Sequence, residues 1–241
     1  MKVVFDLEAD DLLYGATEIH CGTTLELESG NLVHYDTSEV SSLIDVLNQA
    51  DLIIGHNVAG YDIPLLEKLY TGPHSIMNLI DKCRDTYVMS KLFYPNRQEH
   101  SLESWGKKVG ISKPQHEDWS VYSEEMKHRN IEDTKINAKV YEYMVEHECK
   151  GWPQWVMAIK LEGHMHYWQA YQEQYGVGFD KEGAEALVVH LDKKIAEIEE
   201  ELDPILPMHC KQVGVSVSKP FKKDGDYAKR VIDWFEQTEQ A

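Results

Sequence analysis

The chain has 241 residues, 42% of them hydrophobic, with a mean hydropathy of −0.47 and a formal charge of −18. That is enough apolar material for a packed core, and the lack of any run of 18 apolar residues excludes a membrane-spanning helix. The acidity excludes a protein that holds nucleic acid on a broad basic face; it is compatible with one that grips a strand end through cations held on carboxylates.

The N-terminus, MKVVFDLEAD, has one lysine followed by acids, so it is not a signal peptide; KVVFDLEA reads as a strand. IHCGTTLEL and LVHYDT alternate and carry little helical signal, which predicts an antiparallel three-strand meander. SSLIDVLNQA (41–50) has helical spacing, ADLIIGHN is an apolar strand ending in a polar loop, and DIPLLEKLY is a helix opening at Asp62 with a proline in its first turn. CRDTYVMSKLFYP reads as a helix closed by Pro95, and SLESWGKKVG as one ending at Gly110. From 120 to 148 the pattern is helical with a break near His128, where Asn130 is a candidate cap. Strands first and helices interleaved later predict an α/β fold with a mixed sheet and flanking helices.

After CKGWP the character changes. Residues 153–175 form an aromatic-rich amphipathic segment, VGFD is briefly extended, and KEGAEALVVHLDKKIAEIEEEL is a charged helix. The tail reads as an extended stretch (KQVGVSVS), a basic turn (KPFKKDG) and a last helix. These features predict a domain over 1–150 and a mostly helical segment over 151–241. Cys21, Cys83, Cys149 and Cys210 are scattered without a CxxC pair, which predicts reduced thiols in a cytoplasmic setting. His164, His166 and His209 beside Cys210 do not make a regular zinc ligand set.

Three short motifs carry chemistry. Asp6 and Glu8 stand two apart on a strand, so both carboxylates face the same side. GHNVAGYD (55–62) ends an apolar strand and delivers Asp62 to a helix start; HRNIED (128–133) delivers Asp133 to a late helix. Each alone is an ordinary strand end or cap. Together, DxE, then HNxxxYD, then HxxxxD form the series of the DEDD 3′–5′ exonucleases.

In FDLEADDLLYGATEIHCG, LIIGHNVAGYDIPLLEKL, RDTYVMSKLFYP, SLESWGKKVG and YSEEMKHRNIEDTKINAKVYEYM, the chain resembles the proofreading exonuclease domain of short phage-type family A DNA polymerases. The matching pieces cover nearly all of 1–147, and KLEGHMHYWQAYQEQYGVGFDKEGAEALVVHLDKKIAEIEEEL resembles the lead-in to such a polymerase, with no palm or fingers behind it. The resemblance implies a ribonuclease H-like sheet and a metal-dependent 3′–5′ exonuclease that releases mononucleotides from single-stranded DNA 3′ ends. The resemblance also implies that it works as part of a DNA polymerase or as partner to a separate polymerase chain. It implies two Mg²⁺ or Mn²⁺ ions, with Asp6 bridging, Glu8 and Asp133 on the first ion, and Asp62 acting on the second through water. His56 and Asn57 would touch the sugar or phosphate at the strand end, and Leu7, Tyr61 or Trp105 would wedge or stack terminal bases.

One position departs from the resemblance. Phage-type relatives place a tyrosine four residues before the last aspartate; here that residue is Arg129, which stays protonated. A histidine five before it marks another DEDD subtype, and His128 fits that spacing, which predicts that His128 positions the attacking water and Arg129 binds phosphate. Two other readings compete: a DEDD ribonuclease, and a non-catalytic module that clamps single strands or docks a polymerase.

Overall fold

The computed structural model describes residues 1–76, 78–114, 118–150, 154–202, 204–205, 226–227, 229 and 231–233. The extended stretch, basic turn and final helix expected in the tail lie almost entirely outside these residues. Five strands form one mixed sheet in the order β3-β2-β1-β4-β5. β1 (Lys2–Ala9) pairs antiparallel with β2 (Ile19–Glu26), and β2 pairs antiparallel with β3 (Leu32–Asp36). This is the predicted meander. β4 (Leu52–Gly55) and β5 (Cys83–Asp85) add parallel to β1, so the carboxyl ends of β1, β4 and β5 share one edge.

Helices α1 (Val40–Gln49), α2 (Asp62–Leu69), α3 (Thr86–Phe93), α4 (Leu102–Val109) and α5 (Glu124–Met144) flank the sheet. β1 alternates between two layers. Val3, Phe5 and Leu7 enter a core with Leu43, Ile44 and Leu47 of α1, while Val4 faces Ala138 of α5. A further cluster packs Met89, Leu102, Trp105, Ile136 and Val140 between α3, α4 and α5.

The sequence reading needs three corrections. CRD is strand β5, not the start of a helix: the Asp85 carboxylate accepts from the amides of Tyr87 and Val88, so the helix begins only at Thr86. There is no break near His128, because α5 is capped by Ser123 and runs through it unbroken; Asn130 is interior to the helix, its side chain engaged elsewhere. Finally, the change of character at 150 does not end the compact unit, which extends from Met1 to Val177. Helix α6 (Trp155–Tyr175) packs on α2, α3 and β5. Residues 178–241 form a second unit whose main described element is α7 (Lys181–Leu202). Among the described residues no helix is long and apolar enough to cross a membrane, and Cys21, Cys83 and Cys149 are free thiols.

Candidate metal centre

Asp6 and Glu8 lie on the β1 face turned toward α5, and Asp133 comes to meet them from that helix. One carboxylate oxygen from each lies within 4.8 Å of the others. Asp62, at the first turn of α2, is buried, and its Oδ1 accepts from the Leu7 amide at 3.0 Å, which binds it to the β1 backbone between the two acids. Asn130 bridges the layers: its Nδ2 donates to Asp6 Oδ2 at 2.8 Å while its Oδ1 accepts from Thr23 Oγ1 at 2.5 Å. Thr23 is the cross-strand partner of Asp6.

Gathering four acids in one half-buried place is electrostatically costly. Burial first, then the charge of Asp133, pushes Asp6 up to about 7. Burial, then Asp6 and Asp133, pushes Glu8 up to about 9. Asp62 and Asp133 are raised as well, chiefly by burial. Two cations oppose this. Lys113 Nζ lies 2.7 Å from Asp133 Oδ2, and Arg129 Nε lies 3.8 Å from the same oxygen with its guanidinium over the Trp119 ring. Asp133 Oδ1 is buried without a hydrogen-bond partner. Hard oxygen donors, mutual repulsion and an orphaned buried carboxylate oxygen fit a divalent cation of the Mg²⁺ or Mn²⁺ type.

The other expected site residues divide into two groups. His56 and Asn57 stand in the loop after β4. His56 Nδ1 lies 2.9 Å from Thr86 Oγ1, and burial pushes its imidazole down to about 3, so it is neutral. Asn57 takes a left-handed backbone (φ 67°), donates its amide to Asp85 Oδ1 and meets His166 Nε2 of α6 at 2.7 Å through its Oδ1. Tyr61 donates to the Asp11 carbonyl and, with Leu12 and Trp119, lines a cavity of about 300 Å³ that also touches Glu8.

The structure does not bring Leu7, Trp105 or His128 to the acids. Leu7 alternates away from them into the α1 core, 3% exposed. Trp105 is fully buried among α3, α4 and α5, its indole N–H donating to Ser90 Oγ, so it cannot stack a base. His128 is exposed on α5. Five residues of α-helix turn about 500°, which leaves it roughly 140° around from Asp133, whereas four residues bring Arg129 to within about 40°. Sequence reasoning missed Lys113, Trp119, Asp85 and His166. Only Asp85 left a usable signal, an aspartate ahead of Thr86 in cap position.

No family model matches the chain. It is 24% identical over 258 aligned positions to the DNA-directed DNA polymerases of Escherichia phage T7 and Enterobacteria phage T3, covering 81% of this chain and 36% of each polymerase. It thus spans about a third of the length of these relatives. Among solved structures it is similar to Brucella melitensis NrnC with bound Mg²⁺, with a TM-score of 0.55, 15% identity, and coverage of 74% of this chain and 89% of that one. It is also similar to the catalytic core of RRP6 from Trypanosoma brucei, with a TM-score of 0.50, 17% identity, and coverage of 69% and 45%. The chain shares a ribonuclease H-like fold with these solved structures and carries an acidic cluster suited to divalent metal.

Proposed function

We propose that the chain is a divalent-metal-dependent 3′–5′ exonuclease acting on single-stranded ends. The observation that carries this reading is the convergence of Asp6, Glu8 and Asp133, with Asp133 Oδ1 left without a protein partner. Two ions would be held by these three and Asp62. When bound, they supply an activated water and stabilise the attacking and leaving oxygens of phosphodiester hydrolysis.

The chain's own residues do the rest. Asn130 fixes the rotamer of Asp6, and the Leu7 amide fixes Asp62. The cavity of Leu12, Tyr61 and Trp119 beside Glu8 has the size and aromatic walls to receive the terminal base. Lys113 and Arg129 are the cations that face the carboxylates and are placed to meet a phosphate. The reaction breaks one P–O3′ bond; water oxygen bonds to phosphorus and the 3′ oxygen leaves with a proton.

Two substrates fit this site. A proofreading role on DNA, within or beside a polymerase, rests on the sequence likeness to the phage enzymes. A ribonuclease role rests on the likeness in fold to NrnC and RRP6. We weight the second more heavily, because the solved structures of this fold include a nuclease and NrnC bound to pGG. The test is incubation of the chain with 5′-labelled single-stranded DNA and RNA in Mg²⁺, Mn²⁺ or EDTA. Ladders shortening from the 3′ end only with metal are expected, faster on RNA. Equal cutting in EDTA, or shortening from the 5′ end, would refute the reading.

A further inference from the structure

A second cavity, of about 360 Å³, lies between α3 and α6, lined among others by Tyr87, Lys91, Glu162, Met165, His166 and Gln169. This volume lies within the roughly 300–1,000 Å³ of small-molecule sites. Its position follows from the sheet. The carboxyl ends of β1, β4 and β5 share one edge, the acids stand at β1, and Tyr87 follows β5 directly. In open α/β sheets ligands lie along this edge. Two strand spacings put β5 about 10 Å from β1, some three nucleotides of a stacked strand at roughly 3.4 Å each.

The wall chemistry suits a nucleobase. Tyr87 and His166 present tilted rings with centroids 5.5 Å apart, and the Lys91 ammonium sits 4.3 Å from the Tyr87 ring centre. Aromatic faces beside a cation are how single strands are bound without regard to sequence. Met165 adds an apolar surface, and Gln169 and Glu162 add polar groups at the rim.

The cavity is also tied to the site. His166 Nε2 is held by Asn57 Oδ1 at 2.7 Å, and a Cβ at Gly60 would stand 2.5 Å from that nitrogen, so the HNVAG loop is moulded against α6. A side chain at residue 60 would require the His166 ring to shift. The helix that the sequence assigns to a polymerase lead-in therefore completes the nuclease edge.

Building on the exonuclease reading, we propose that this cavity binds a nucleobase of the uncleaved strand, about three nucleotides upstream of the severed bond. Tyr87 and His166 stack the base and Lys91 meets its phosphate. The site makes the enzyme hold oligonucleotides better than dinucleotides.

Binding reads this directly. Fluorescence anisotropy of a 5′-labelled dinucleotide and a ten-nucleotide single strand, each as RNA and DNA, is measured in Ca²⁺ with strand integrity checked. Wild type should bind the longer strand at least tenfold more tightly. Lys91→Glu and Tyr87→Ala should each shrink that advantage about tenfold. Lys91 is exposed, so its variant folds, and a thermal melt verifies the other. Lys139→Glu makes the same charge change on exposed α5 surface outside the cavity and should keep the advantage. No length advantage in wild type, an advantage kept in both cavity variants, or an equal loss in Lys139→Glu would overturn the proposal. Length-dependent binding with no hydrolysis in Mg²⁺ or Mn²⁺ would support the cavity and overturn the exonuclease reading.

Discussion

The β1–α5 interface and helix α7 differ in what holds them in place. At the interface, acids, amide and cations are tied across three elements, and each position is set by a partner distant in sequence: Asp6 by Asn130, Asp62 by Leu7, Asp133 by Lys113. Helix α7 has no buried residue in its 22, and its visible ties are between neighbours, Lys181 to Glu185 and Lys193 and Lys194 to Glu197. Pairs of this kind contribute only about 0.2–0.5 kcal/mol each. The two regions therefore differ in how much sequence change they tolerate. At the interface a single substitution strands a buried polar group; on α7 it changes solvent-exposed surface.

The largest effect should come from Asp6→Ala. Losing a carboxylate common to the cluster should lower hydrolysis on the order of 10³-fold or more, while circular dichroism shows a folded chain. Substantial turnover in a folded variant would remove Asp6 from the site.

Stability should separate the regions next. Trp105→Ala empties a fully buried position and should cost about 3–5 kcal/mol. Leu191→Ala, half-exposed on α7, should stay within about 0.5 kcal/mol. Paired denaturant melts followed by circular dichroism check both, and similar losses would erase the contrast.

The acids themselves predict a pH dependence. Asp6 and Glu8 are raised in the folded chain, to about 7 and about 9, so the folded state binds protons more tightly than the unfolded. Their contribution is fully present below the ordinary carboxylate range near pH 4 and is lost as pH rises through about 7 and then 9. In EDTA the melting temperature should therefore fall from pH 5 to pH 9, by on the order of 5 °C. Asp6→Asn should flatten the slope. A melting temperature rising over that range would contradict the assignment.

The smallest catalytic effect should be that of His128→Ala. Because α5 turns it away, its rate should stay within roughly threefold of wild type. Arg129→Ala removes a cation from Asp133 and should act more strongly, mainly on KM. A loss of about 10²-fold or more in the His128 variant would restore it as the group that handles the attacking water.

Much of the fold was legible because its signals are local. The alternation of KVVFDLEA, the helix end at Gly110 and the apolar run LIIG all stand as strands or helix ends. β5 was misread because three residues carry no periodicity, and only pairing with β4 makes them a strand. The acids were legible as motif spacing. Their neighbours were not: Lys113 lies in an irregular segment 20 residues from Asp133, and His166 reaches Asn57 across 109 residues. Asn130 has the residue type of a cap, and only tertiary contact with Asp6 and Thr23 reveals its use inside the helix.

The central claim is that these acids hold divalent metal, and Mn²⁺ titration followed by the electron paramagnetic resonance of the free ion tests it most directly. Wild type should remove Mn²⁺ from solution saturably, Mg²⁺ should compete, and Asp6→Ala and Asp133→Ala should each lose this binding while remaining folded. Equal uptake by both variants, or none by wild type beyond weak surface binding, would contradict the account.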